Sequence, residues 1–203
     1  MWSHAFSDGE PDPEFVRRMN KPENEVPVAL PMNRLLSRTP DLAIALVGLQ
    51  AYTTGVAFEL VARARGLEDP AADNRLGSIF WGHAGAPSFL LGVEFADGRR
   101  ASSLPFPGRS GDIVFHQGGG SGGETAVDQQ WWLSPLPPEG PLLVVARCPE
   151  IGLDETVLEL DGAAIRRAGE SAIVLWPYEP PVDRDPGPPP PPDVPSDSWF
   201  AAG

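Results

Sequence analysis

The chain has 203 residues, enough for one domain of ordinary size with appendages, and its formal net charge of −13 would be repelled by nucleic acid or an anionic lipid surface. Its one cysteine, Cys148, excludes an internal disulfide, and without spaced Cys and His partners it offers no zinc site. No segment approaches the ~18 uninterrupted apolar residues of a membrane span, and the N-terminus has no basic start followed by an apolar run. The expectation is a cytoplasmic chain with no cofactor, no metal, no membrane contact and no nucleic-acid partner.

Residues 1–24 mix acidic residues, Pro, Asn and a few aromatics without periodicity. They read as an N-terminal arm, docked by Trp2, Phe6 or Phe15. From residue 25 to 177 the apolar period is two, the rhythm of strands. "EVPVAL" is a short strand. "DLAIALVGLQAYTTGVAFELVARARG" is a long hairpin about "YTTG", with Val56, Phe58 and Leu60 facing one way and Glu59 and Arg63 the other.

Next, "LEDPAADNRLGSIFWGHAGAPS" is a long insertion, a candidate wall for any binding site, and it carries Trp81. "FLLGVEFADGRRAS" predicts a second hairpin turning at Asp97-Gly98. "DIVFH" adds a short strand, after which Gly118 to Gly123 read as a flexible loop. "WWLSPLPPEGPLLVVARCP" predicts a third hairpin and "ETVLEL" a further strand. One helix is expected in "LDGAAIRRAGESAIVLW", capped by Asp161, with Ile165, Ala168, Ala172 and Leu175 or Trp176 at helical spacing until Pro177; the β-branched Ile173-Val174 leaves an extended end open. The fold class that follows is all-β: an antiparallel β-sandwich of about eight strands with one C-terminal helix.

Residues 178–203 are rich in proline and Asp and poor in aliphatics, so they predict a disordered tail with local polyproline II structure. Trp199 and Phe200 near its end form a candidate docking motif. Pro188 to Pro192 would suit either an aromatic groove or a stiff spacer.

Chemistry-bearing patterns are sparse. Gly119, Ser121 and Gly123 satisfy G-x-S-x-G, the nucleophile elbow, but that motif needs a helix after the serine and a base downstream. Here a strand follows, and the last histidine is His116. A serine hydrolase using Ser121 with His83 or His116 is therefore the least favoured reading, and no catalytic residue is assigned. Trp131 and Trp132 are adjacent on a strand and must face opposite sides. One fills the core, while the other is covered, with Trp81 a possible cover, or stands exposed to a ligand. Trp81, Asp128, Gln130, Trp131, Trp132, Trp199 and Phe200 are accordingly the candidate binding residues.

The segments "NEVPVALPMNRLLSRT", "LLGVEFADGRR", "GGGSGG", "WWLSPLPPEGPL" and "LDGAAIRRAG" together resemble a family of uncharacterised proteins from high-GC bacteria over residues 24–177. The resemblance implies no activity, cofactor or site residue. Two functions from different classes follow from the residues. The first is a non-catalytic module that binds a protein partner, with the tail as tether; the second is a small-ligand module, for example for carbohydrate, built on an exposed tryptophan. Oligomeric state is left open by the sequence.

Overall fold

The computed structural model describes residues 12–65, 75–82, 88–104 and 112–180. Two antiparallel sheets are packed face to face. The larger has five strands: β2 (Val28–Arg38), β3 (Leu42–Tyr52), β4 (Gly55–Ala64), β7 (Val114–Gly122) and β8 (Ala126–Ser134), in the order β2-β3-β4-β8-β7. The smaller has four: β5 (Leu90–Glu94), β6 (Arg100–Ser102), β9 (Pro141–Cys148) and β10 (Leu153–Asp161), in the order β10-β9-β5-β6. A separate two-stranded sheet pairs β1 (Glu25–Val26) with β11 (Ile173–Val174).

Alternation explains the core. In β4, Val56, Phe58, Leu60 and Ala62 are buried between the layers, and in β8 so are Val127, Gln129, Trp131 and Leu133. They meet Leu91, Val93, Leu142, Val144 and Leu160 from the smaller sheet within one apolar cluster. Two helices sit at opposite ends of the β3–β4 hairpin. Helix α2 (Arg75–Trp81) brings Leu76, Ile79 and Phe80 into the core beside Phe89, with the Phe80 and Phe89 rings stacked at 4.4 Å. Helix α3 (Gly162–Glu170) buries Ile165 and packs Gly169 against the Tyr52 carbonyl. Asp161 caps it by accepting from the Ala164 amide at 2.9 Å.

The two early hairpins follow the expected turns, β3 to β4 through Thr53-Thr54 and β5 to β6 through Asp97-Gly98. The edge strand β2 runs eleven residues rather than six, and carries Pro31, Arg34, Arg38 and two register shifts. Such features blunt an exposed edge, because proline removes a donor and charge resists a stacked neighbour.

Three expectations are corrected. The proline-rich "SPLPPEGP" does not close a hairpin: β8 pairs with β4 and β7, β9 with β5 and β10, so the segment crosses from one sheet to the other. Its two flanking runs are both apolar because each is an interior strand of its own sheet. The glycine run is not a loop but the second half of β7, with Gly118 as the extra residue of a bulge opposite Gln130 and Trp131. Close approach explains two of the glycines, since a Cβ on Gly120 would lie 2.1 Å from the Asp128 carbonyl oxygen and one on Gly122 2.5 Å from the Trp81 ring nitrogen. Finally, the C-terminal helix ends at Glu170, and Ile173-Val174 form a strand.

Candidate interaction surface

The arm and the segment after α3 meet on the two-stranded sheet. Pro27 separates β1 from β2, so Glu25 and Val26 are free of the large sheet and pair with Val174 and Ile173 instead. The pairing extends on either side, with the Leu175 amide donating to the Asn24 carbonyl at 2.9 Å and the Asn24 side-chain amide to the Trp176 carbonyl at 2.7 Å. Branching at Cβ accounts for the extended conformation of Ile173 and Val174.

What distinguishes this sheet is its exposure. Val26, Ile173, Val174, Leu175 and Trp176 are all exposed, Ile173 at 61% and Trp176 at 58%. Neighbours on a strand point to opposite sides, so exposure of four successive apolar residues means that neither side of β11 is covered by the described residues. Isolated exposed apolar side chains are ordinary, whereas a contiguous set marks a contact surface.

Beside it a groove of about 940 Å³ runs between the arm and residues 176–179, lined by Phe15, Lys21, Trp176 and Tyr178 among others. Arg17 holds its wall: the guanidinium lies 5.8 Å from the Tyr178 ring centroid and 3.9 Å from the Glu25 carboxylate. The Glu25 side chain is fully buried and accepts from the Thr53 amide at 2.8 Å and the Thr53 hydroxyl at 2.5 Å. This buried, multiply bonded carboxylate ties the small sheet to the β3–β4 turn. Tyr52 adjoins it. Burial, and secondarily the charge of Glu25, push the Tyr52 phenol above its ordinary range.

The residues singled out from the sequence are placed otherwise. Trp131 is 5% exposed, in the core between Phe115, stacked at 5.0 Å, and Gln129, whose side-chain oxygen accepts from the indole N–H at 3.3 Å. Trp132, 3% exposed, faces outward and is roofed by the arm. Phe15 and Met19 pack on it, Tyr52 meets it edge-on at 5.7 Å, and its N–H donates to the Arg18 carbonyl at 2.9 Å. Of the alternatives for the pair, one ring therefore fills the core and the other is covered. The cover is helix α1 (Pro13–Arg18) and the residues after it, not Trp81.

Trp81 is 38% exposed and lies against Gly122, on the side of the sheet that also carries Val127. Asp128 and Gln130 point to the other side, and the Asp128 carboxylate is paired with Arg63 at 2.5 Å. The sheet therefore separates Trp81 from the two polar residues expected to act with it.

Ser121 stands opposite Asp128, and His116 opposite Trp132, four residues further along β8. At ~3.3 Å per residue that is roughly 13 Å, beyond reach for a nucleophile and its base. The His116 ring is occupied elsewhere, with Nε2 at 2.7 Å from the Met19 carbonyl and Nδ1 at 3.2 Å from that of Gln117. His83, Trp2, Phe6, most of the 66–87 insertion, Trp199 and Phe200 lie outside the described residues. Cys148 is buried, and burial pushes its thiol up, away from reactivity. Among the described residues no three His, Cys, Asp or Glu side chains group to hold a metal ion, and no helix is long and apolar enough to cross a membrane.

Sequence reasoning missed Arg17 and Glu25 and placed Leu175 or Trp176 at helical spacing, with the β-branched pair ahead of Pro177 as the signal for the extended alternative. No family model matches the chain, and no curated protein or solved structure matches it.

Proposed function

We propose that this protein is a non-catalytic module that binds another protein through the two-stranded sheet and the groove beside it. The observation that carries the reading is the unbroken exposure of Ile173, Val174, Leu175 and Trp176 beside Val26. Burying one large apolar side chain stabilises a complex by roughly 1.5–3 kcal/mol, and aromatic anchors in grooves dominate such interfaces. The edges of a two-stranded sheet also leave backbone donors and acceptors for an added strand. Arg17, Glu25 and Asn24 fix the geometry in advance, so little ordering is left for the partner to offset. The chain's net charge of −13 favours a partner of net basic character.

The test is capture by affinity-tagged full-length protein in a lysate of its source, quantified against Trp176→Ala and Ile173→Asp. Specific partners should fall by at least about tenfold in both variants, the loss expected of a hot-spot side chain. Capture unchanged in both would refute the reading. A small-ligand function retains no tryptophan from the β8 pair, since both are buried.

A further inference from the structure

The chain also carries a candidate occupant for the groove. The described residues end at Pro180, next to Glu179 on the groove's lining, so residues 181–203 begin at the site itself. That stretch contains the run Pro188 to Pro192 and, just before it, Asp185-Pro186-Gly187. Pro-Gly is the pair that a type II turn takes at its two central positions.

We propose that the groove is a seat for the chain's own pentaproline run, Pro188 to Pro192, which folds back onto Phe15, Trp176 and Tyr178. Two considerations point to this segment. Aromatic-lined grooves take polyproline because pyrrolidine rings bury apolar area against ring faces, while a chain already stiff loses little entropy. The tether suffices: seven residues separate Pro180 from the run, so its eight steps reach up to ~25 Å at ~3.1 Å each, and a reversal at Pro186-Gly187 returns it. Charge raises no barrier, since Arg17 and Lys21 of the lining balance Glu23 and Glu179, and Arg184 lies among Asp183, Asp185 and Asp193 on the flanks of the prolines.

The docked tail covers Trp176 and so competes with the partner of the preceding section. The inference rests on that reading for its regulatory meaning, but the docking stands or falls separately.

The probe is a fluorescein-labelled peptide of residues 183–203, titrated by anisotropy into three full-length proteins. These are the wild type, a chain carrying Pro189→Ser, Pro190→Gly and Pro191→Ser, and the same triple variant with Trp176→Ala. A short tether gives an effective concentration on the order of millimolar, so for an intrinsic dissociation constant of about 0.1 mM the wild type binds the peptide roughly tenfold more weakly than the triple variant. Adding Trp176→Ala, or Tyr178→Ala in its place, should abolish the gain.

Equal binding to wild type and triple variant, binding indifferent to both groove substitutions, or no binding to the triple variant each overturns the proposal. The last outcome would leave residues 1–11 or an external chain as the groove's occupant. Loss of partner capture in Trp176→Ala without peptide binding would sink the tail docking and keep the interaction surface. Peptide binding without any partner dependent on Trp176 would do the reverse.

Discussion

Trp131 lies within one antiparallel sheet and Trp176 two residues past the end of another, yet one is sealed and the other open to solvent. In β8 both tryptophans have cover on their own sides: the facing sheet hides Trp131, and the arm hides Trp132. In β11 the pairing is equally regular, but the described chain supplies cover on neither side. The lesson is that pairing alone does not decide burial; the layers stacked on a sheet do. Where a layer is missing over contiguous apolar residues, the surface is prepared for something else.

The sharpest way to break this comparison is to damage the sealed side. Trp131→Ala should cost about 3–5 kcal/mol, a fall in melting temperature of roughly 10 °C or more by calorimetry. A loss under 1 kcal/mol would mean that the β8 ring is not a core element. Gly120→Ala should follow at about 1–3 kcal/mol, because its Cβ would meet the Asp128 carbonyl oxygen at 2.1 Å. Denaturant unfolding measures it, and a neutral result would place the glycine run outside the sheet. Asp161→Ala removes the α3 cap and should cost about 1 kcal/mol by the same method.

Smaller effects sharpen the junction between the two regions. Tyr52 is raised by burial and by Glu25, so its contribution to stability is complete below the ordinary phenol range and is lost as pH rises through its folded value. Glu25→Gln should lower the tyrosinate step assigned to Tyr52 at 295 nm toward the ordinary range; a step that does not move would show that the carboxylate is not beside the ring. Smallest of all, Trp176→Ala added to the triple proline variant, which has no tail docked on the ring, should change stability by less than about 0.5 kcal/mol. A large destabilisation would show that the open sheet is structural rather than a contact surface.

How far this was legible follows the same division. The alternation Val56, Phe58, Leu60 and the Asp97-Gly98 turn spell out hairpins locally, and Asp161 marks its helix. The sandwich class could therefore be read directly. The segment from Ser134 to Pro141 carries identical local signals whether it closes a hairpin or crosses between sheets, since both flanks are apolar and only the partner strands differ. Gly120 and Gly122 of β7 are explained by the Asp128 backbone and the Trp81 ring, contacts that no local pattern encodes. The candidate surface was least legible. It joins Glu25 to Val174 across the whole domain, and an exposed Trp176 is indistinguishable in sequence from a buried one.

The most direct test of the central claim is site-specific photocrosslinking in living cells, with a diazirine amino acid at Ile173 and, for comparison, at Val157 on the four-stranded sheet. Both side chains are exposed and apolar, but only Ile173 belongs to the contiguous patch. Adducts to a defined protein from position 173, absent from 157 and lost when Trp176→Ala is added, are the expected result. Adducts from 157 alone, or equal adducts from both positions whether or not Trp176 is present, would contradict it.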